Sequence, residues 1–309
     1  MTSVLDVPGF ARLLGTSEQD VERTCGDLIR SCDFRYAVLD RAEFEKNLLE
    51  VTRTIDGENL PASGEQRRGD WEKGWAGARE EFIKSDYDLN ALVPKYIDKY
   101  GVKRLYSRYI RPLARRFEED FYTVYRHYLF KTWAGHYGDV YEFGCGTGYN
   151  LVIMARLFPE KRLFGLDWSE QSVKLVNAIS AVHKLNLSGR RFDYFRPDYG
   201  LGVPENSVFI TLNSLEQLGG DFQPFLDFVL AKRPALVINS EPFIEMYDES
   251  DLLDRLAARY HRKRNYLNGY LSALKALAED GKIKILKMQR VSFGSVFHEG
   301  YSIAVWKVV

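Results

Sequence analysis

Val140-Tyr141-Glu142-Phe143-Gly144-Cys145-Gly146-Thr147-Gly148 runs from a short β-rich stretch into three glycines at alternate positions, and the helical run Asn150-Leu151-Val152-Ile153-Met154-Ala155-Arg156-Leu157 follows. Missing side chains let the backbone turn tightly here and approach a ligand, while free N–H groups at the helix start favour a negative group. The next predicted strand, Arg162-Leu163-Phe164-Gly165-Leu166, ends in Asp167. That is about the distance at which nucleotide-binding βαβ units set an acid against ribose hydroxyls. Taken alone, Asp167 reads equally as a cap for the helix opened by Ser169-Glu170-Gln171-Ser172-Val173.

Outward from this turn, β-rich runs alternate with helical segments, the pattern of a parallel sheet covered by helices. Strands are predicted at 139–143, 162–166, 191–195, 207–212, 234–239, 282–292 and 300–307. Only Phe293-Gly294-Ser295-Val296-Phe297-His298-Glu299 separates the last two. Such a link is too short for a helical crossover, so this pair should run antiparallel. The fold class is α/β, with residues 133–309 as the ligand-binding domain and a helical insertion at about 247–280. Residues 1–132 read as a mainly helical lid or substrate region. Its aromatic helix after Pro112, carrying Phe117, Phe121, Tyr125, Tyr128 and Leu129, should dock on the second domain.

Glu142-Phe143-Gly144-Cys145-Gly146-Thr147-Gly148 together with Asp167 resembles the class I, Rossmann-like S-adenosylmethionine-dependent methyltransferases over roughly residues 130–309. The resemblance implies a seven-stranded sheet ending in an antiparallel hairpin, and S-adenosyl-L-methionine as cofactor. It places Gly144, Cys145, Gly146 and Gly148 beneath the methionine and ribose parts, Glu142 on the methionine amino group directly or through water, and Asp167 on the ribose. Trp168 then flanks the adenine and Asp198 reaches its amino group, with Asp193 as the competing acid and a plain turn as the other role for Asp198. Asn213, at the carboxyl end of the fourth strand, faces the crevice and the methionine portion. A nicotinamide-dependent oxidoreductase is the rival for a glycine turn followed by an acid. The Gly-x-Gly-x-Gly spacing, the antiparallel end and the missing second nucleotide half weigh against it.

Methyl transfer depends on positioning, and an acceptor hydroxyl or ammonium also needs its proton removed. Glu216 after strand four and Glu241 after strand five meet the requirement for a base at the sheet's carboxyl edge, with a helix-start or loop ion-pair role as the alternative. His298, in the hairpin link, is a third candidate base or substrate ligand. On the acceptor side, Arg264 and Tyr266 lie on the insertion, and Trp71 and Trp75 offer faces for a sugar or base. Tyr106 and Arg108 belong to a second polar set, 104–111, one member of which is expected at the methionine carboxylate.

Lys+Arg and Asp+Glu balance at 43 each, which provides no net field for a nucleic-acid backbone. Neither a signal peptide at Met1-Thr2-Ser3-Val4-Leu5-Asp6 nor an apolar run long enough to span a membrane is expected. Cys25, Cys32 and Cys145 form no metal-ligand spacing and no disulfide framework, which fits a cytoplasmic protein without a metal. The expectation is methyl transfer to O or N of a small polar acceptor, sugar-like or nucleotide-linked, by a chain compatible with a homodimer. A noncatalytic cofactor-binding partner of a methyltransferase assembly is the alternative.

Overall fold

The computed structural model describes residues 2–309. Its first 112 residues carry four short strands, β1 (Thr2–Val4), β2 (Arg35–Val38), β3 (Lys103–Leu105) and β4 (Arg108–Pro112). Helices α1 (Val7–Leu14), α2 (Glu18–Ser31), α3 (Arg41–Asp56) and α4 (Arg68–Lys84) lie between them. Each start is written in the sequence: Asp6 and Ser17 cap α1 and α2, and Asp40 with Glu43 forms a capping box on α3. Helix α4 differs, because no side chain caps it and it carries Gly69, Gly74 and Gly77. A methyl group at any of the three would meet nothing within 4 Å, so packing does not require these glycines.

The aromatic helix is α5 (Phe117–Leu129). One face is buried among Phe10, Phe34 and Phe293, and Tyr125 reaches across to Ser240 Oγ (2.6 Å) and the Tyr301 carbonyl (2.9 Å). After it come β5 (Asp139–Phe143), α6 (Tyr149–Leu157), β6 (Leu163–Asp167), α7 (Glu170–His183), β7 (Leu187–Arg191) and β8 (Ser207–Leu212). The chain continues through α8 (Gln223–Lys232), β9 (Leu236–Glu241), α9 (Leu252–Arg264), α10 (Tyr270–Glu279), β10 (Ile283–Gln289), β11 (Phe293–Ser295) and β12 (Ser302–Val308).

Seven strands form one mixed sheet in the order β10-β12-β9-β8-β5-β6-β7. Neighbours from β9 to β7 are parallel, whereas β12 is antiparallel to both β9 and β10. This is the Rossmann-like α/β arrangement with an antiparallel C-terminal pair that the resemblance implied. β5, β8 and β9 are buried at every position, as strands covered by helices on both faces should be. The chain leaves β5 toward β6 on one side and has β8 on the other, which opens a crevice at the carboxyl end of β5.

Three features depart from the sequence reading. The third strand of the sheet lies at Leu187–Arg191, four residues before 191–195. The stretch predicted as a single strand at 282–292 ends at Gln289, and Phe293–Ser295 continues as β11 on a different sheet. That sheet, β1-β2-β4-β3-β11, is antiparallel and draws four strands from the region read as helices and loops. The insertion is two helices, parted where Asn265 closes α9 in the left-handed conformation (φ 50°).

Candidate functional site

The glycine turn is as tight as its sequence demands. Gly144, Gly146 and Gly148 have φ of 70°, 54° and 74°, and a Cβ on Gly144 would stand 2.3 Å from Ser214 Cβ. Above the turn opens a cavity of about 480 Å³. Its wall includes Gly144, Cys145, Gly146, Asp167, Trp168 and Asn213 from the sheet's carboxyl edge, and Trp71 and Trp75 from α4. Glu216, Arg264, Tyr266 and His298 line it as well. Gly148 stands just behind, as the N-cap of α6.

Asp167 is buried and receives the Gly146 N–H on one oxygen and the Ser169 N–H on the other, both at 2.9 Å. Burial pushes its carboxyl up to about 6 against those two hydrogen bonds. Glu142 lies one layer beneath the wall, with Oε1 accepting from Asn150 Nδ2 at 2.6 Å and Oε2 without any partner. Burial raises it to about 8, opposed by the Asn150 amide and the Arg126 charge.

Arg126 is a cavity residue that the sequence reading did not single out. Its Nε donates to Asn150 Oδ1, its guanidinium faces the rings of Tyr122 and Tyr149, and its Nη1 has no partner. Arg126 and Asn150 both line the cavity. The signal was present, since an arginine four positions after Tyr122 lies on the apolar stripe of an amphipathic helix, where an unpaired charge needs a partner. Lys99, Tyr100, Tyr260 and Phe297 also line the cavity and were not singled out.

Glu216 is the best-placed candidate base. Its Oε1 accepts from Gln217 Nε2 at 2.8 Å, and burial holds the carboxyl at about 7. Beside it, Tyr266 receives a hydrogen bond from Arg264 Nη2 at 3.2 Å. His298 Nδ1 lies 3.1 Å from His261 Nε2, and burial drives His298 down to about 3, so it is a neutral imidazole.

Four assignments need correction. Glu241 is fully buried and off the cavity wall: its oxygens accept the N–H groups of Ser214, Leu215 and Glu216 at 3.2–3.3 Å, which fixes the turn that presents Glu216. Asp198 is exposed and accepts the Gly200 N–H at 2.8 Å, a plain turn. The strand β7 ends at Arg191, and the competing acid, Asp193, is paired with Arg68 at 2.5 Å and is not part of the cavity wall. Tyr106 and Arg108 belong to the β3–β4 hairpin, where Tyr106 donates to the Gly9 carbonyl at 2.6 Å and Arg108 faces solvent. No member of 104–111 lines the cavity, whereas Arg126 does, with its Nη1 unpartnered.

Helix α4 roofs the glycine turn: a Cβ on Gly146 would stand 2.9 Å from the Trp75 ring. Few polar ties hold it, among them Glu72 with the Glu170 N–H (3.0 Å) and Arg68 with Asp193, and Arg68 also lies 5.0 Å from the Trp168 ring. Glycine in a helix interior costs about 1 kcal/mol relative to alanine. Gly74→Ala with Gly77→Ala should therefore steady α4 by about 1–2 kcal/mol. Slower amide hydrogen exchange across 68–84 is the check, and unchanged exchange would show that the roof is already rigid.

Among the described residues no helix is long and apolar enough to cross a membrane, and no cluster of His, Cys, Asp and Glu is arranged to hold a metal. No family model and no curated protein matches the chain. Solved structures of similar fold include an S-adenosylmethionine-dependent methyltransferase from Aquifex aeolicus, 14% identical with a TM-score of 0.40 over 56% of this chain and 82% of that one. Geranyl diphosphate methyltransferase is 12% identical, with a TM-score of 0.43 over 63% and 79%. The [4+2]-cyclase SpnF is 12% identical, with a TM-score of 0.45 over 62% and 83%.

Proposed function

We propose that this cavity binds S-adenosyl-L-methionine and that the protein moves its methyl group to oxygen or nitrogen of a small polar acceptor. The observation that carries this reading is the pair of orphaned, opposite groups beside the glycine turn: Arg126 Nη1 is a donor without an acceptor, and Glu142 Oε2 an acceptor without a donor. Buried polar atoms left this way call for a partner: the carboxylate of an α-amino acid completes Arg126 on the wall, and its ammonium reaches Glu142, beneath the wall, through a bridging water. Asp167 keeps lone pairs for the ribose hydroxyls, and Trp168 offers a face to the adenine. When bound, the cofactor supplies a methyl carbon activated by its sulfonium, whose carbon–sulfur bonding pair stays on sulfur.

The chain's own part is to orient and to take a proton. Gln217 occupies Oε1 of Glu216, leaving Oε2 for the proton of the acceptor's hydroxyl or ammonium. Glu241 keeps this turn in place through its three backbone contacts. Three cysteines without a disulfide fit a reducing, cytoplasmic setting.

Calorimetry with S-adenosylmethionine and with its demethylated product tests the cofactor; no heat with either, from folded protein, rejects the proposal. Only ionised Glu216 accepts a proton, so turnover should rise as pH rises through about 7. Glu216→Gln should remove that limb and lower kcat by about 10²–10⁴. Unchanged turnover in this variant would take the carboxylate out of the chemistry.

A further inference from the structure

Where α9 closes, Tyr260, Tyr266, Phe297 and His298 form one aromatic group on the cavity wall, with Tyr260 stacked on Phe297 at 5.0 Å and 18°. Arg264 completes it, its guanidinium lying 5.0 Å from the Tyr266 ring. We propose that this end of the cavity holds the oxyanion of a planar acceptor, a carboxylate or a phosphate monoester, on Arg264, leaving Glu216 to face the atom that is methylated. The inference rests on the cofactor reading above and names the acceptor class for the same site.

The charges of the cavity carry the argument. Arg67 is paired with Asp70 at 2.8 Å, Glu118 is paired with Lys103, and Arg126 has the role given to it above. Glu216 on the same wall is the acid whose charge reaches Arg264, but it forms no ion pair: Arg264 has no carboxylate within 4 Å among the described residues, its Nη2 meets only the Tyr266 hydroxyl, and its Nε is buried without any partner. Lys99 on the same wall also lacks an ion pair among the described residues. Arg264 is half-buried, its unpartnered Nε calls for an acceptor, and a guanidinium fork matches the paired oxygens of a carboxylate or phosphate. A cationic methyl donor nearby adds another positive charge to be balanced. The neutral His298 adds none, and the flat faces of Tyr260 and Phe297 favour a planar body over a polyhydroxyl one. This narrows the sugar-like acceptor expected from the sequence.

The test saturates the protein with S-adenosylhomocysteine and titrates in 4-hydroxybenzoate, phenyl phosphate or the uncharged 4-hydroxybenzamide by calorimetry. At least one anion should bind about tenfold or more tighter than the amide, and Arg264→Gln should weaken that anion by roughly ten- to a hundredfold while moving the amide less than about threefold. Arg264→Lys should fall between, because it keeps the charge and loses the fork. Whichever anion binds tighter identifies the source of the oxyanion. Equal affinity for anions and amide, no binding by any of the three, or an anion indifferent to Arg264→Gln overturns the inference. Affinity for S-adenosylhomocysteine, measured in each variant, reports that the site is folded. Its absence in the unsubstituted protein would sink the cofactor reading itself, whereas its presence without anion preference sinks only the oxyanion assignment.

Discussion

Arg126→Met should weaken S-adenosylhomocysteine binding by more than a hundredfold while leaving the ligand-free protein as stable as before. Arg126 is 2% exposed, and its Nη1 is orphaned in the wall beside the glycine turn. A bound α-carboxylate gains a charge-assisted partner there. Removing one side of a desolvated charge pair costs about 2–5 kcal/mol, and 3 kcal/mol corresponds to roughly 150-fold in affinity. Methionine approximates the length of the arginine stem and preserves its packing against Tyr122 and Tyr149. Without ligand, the substitution removes an unsatisfied buried donor along with its bond to Asn150, so melting should hardly move. Calorimetry beside thermal unfolding makes the check. Undiminished affinity would mean that Arg126 does not meet the ligand's carboxylate; a collapse in melting temperature would make it structural instead.

Backbone demands explain what was legible in the sequence. The positive φ at Gly144, Gly146 and Gly148, and an acid where β6 runs out, are fixed by local geometry, so the turn and Asp167 could be found without tertiary information. The aromatic residues Phe192 and Tyr194 alternate like a strand but pack as a loop against Phe143 and Phe225, which drew the predicted third strand four residues late. The true edge strand, Leu187-Ser188-Gly189-Arg190-Arg191, is too polar to stand out. That error set Asp198, a turn residue, just past the end of the expected strand. Strands of three to five residues, like β1–β4, are too short to show an alternating pattern, and apart from the β3–β4 hairpin their pairing partners are remote in sequence, so no local pattern announces them. Arg126 and Lys99 enter the cavity only through the docking of the first 130 residues on the sheet, a tertiary event that residue spacing does not encode.

Asp254→Ala should destabilise the fold by about 3–5 kcal/mol, the loss expected when one member of a buried ion network leaves its partners uncompensated. Asp254 Oδ1 accepts from Arg104 Nη2 at 2.7 Å and Arg290 Nη2 at 2.6 Å; Oδ2 accepts from Arg290 Nη1 at 2.6 Å and the Asp248 N–H at 3.0 Å. Glu299 supplies the second carboxylate, 2.6 Å from Arg290 Nε and 3.6 Å from Arg104. Arg104, Asp254 and Glu299 are each 1% exposed, so water cannot replace what the substitution removes. Arg104 would keep only the Leu253 carbonyl at 3.0 Å and the distant Glu299. The network joins β3, α9 and the segments flanking β11, the elements that carry Arg264 and Ser295 to the cavity. Burial alone would raise the Asp254 carboxyl, but hydrogen bonds from Arg290 and the Asp248 N–H outweigh it and hold it below its usual value. A carboxyl depressed by folding stabilises above its unfolded pKa and loses that contribution as pH falls through the folded one. The penalty of Asp254→Ala should therefore be full at pH 7 and shrink in strongly acidic solution, where wild type loses the same interaction. Adding Arg104→Met should cost little more, or recover part of the loss, because it removes the stranded charge. Denaturant unfolding of the single and double variants at pH 7 decides it: additive losses would show that Arg104 is stabilised independently of Asp254, and a single-variant loss under about 1 kcal/mol would mean that Glu299 alone suffices.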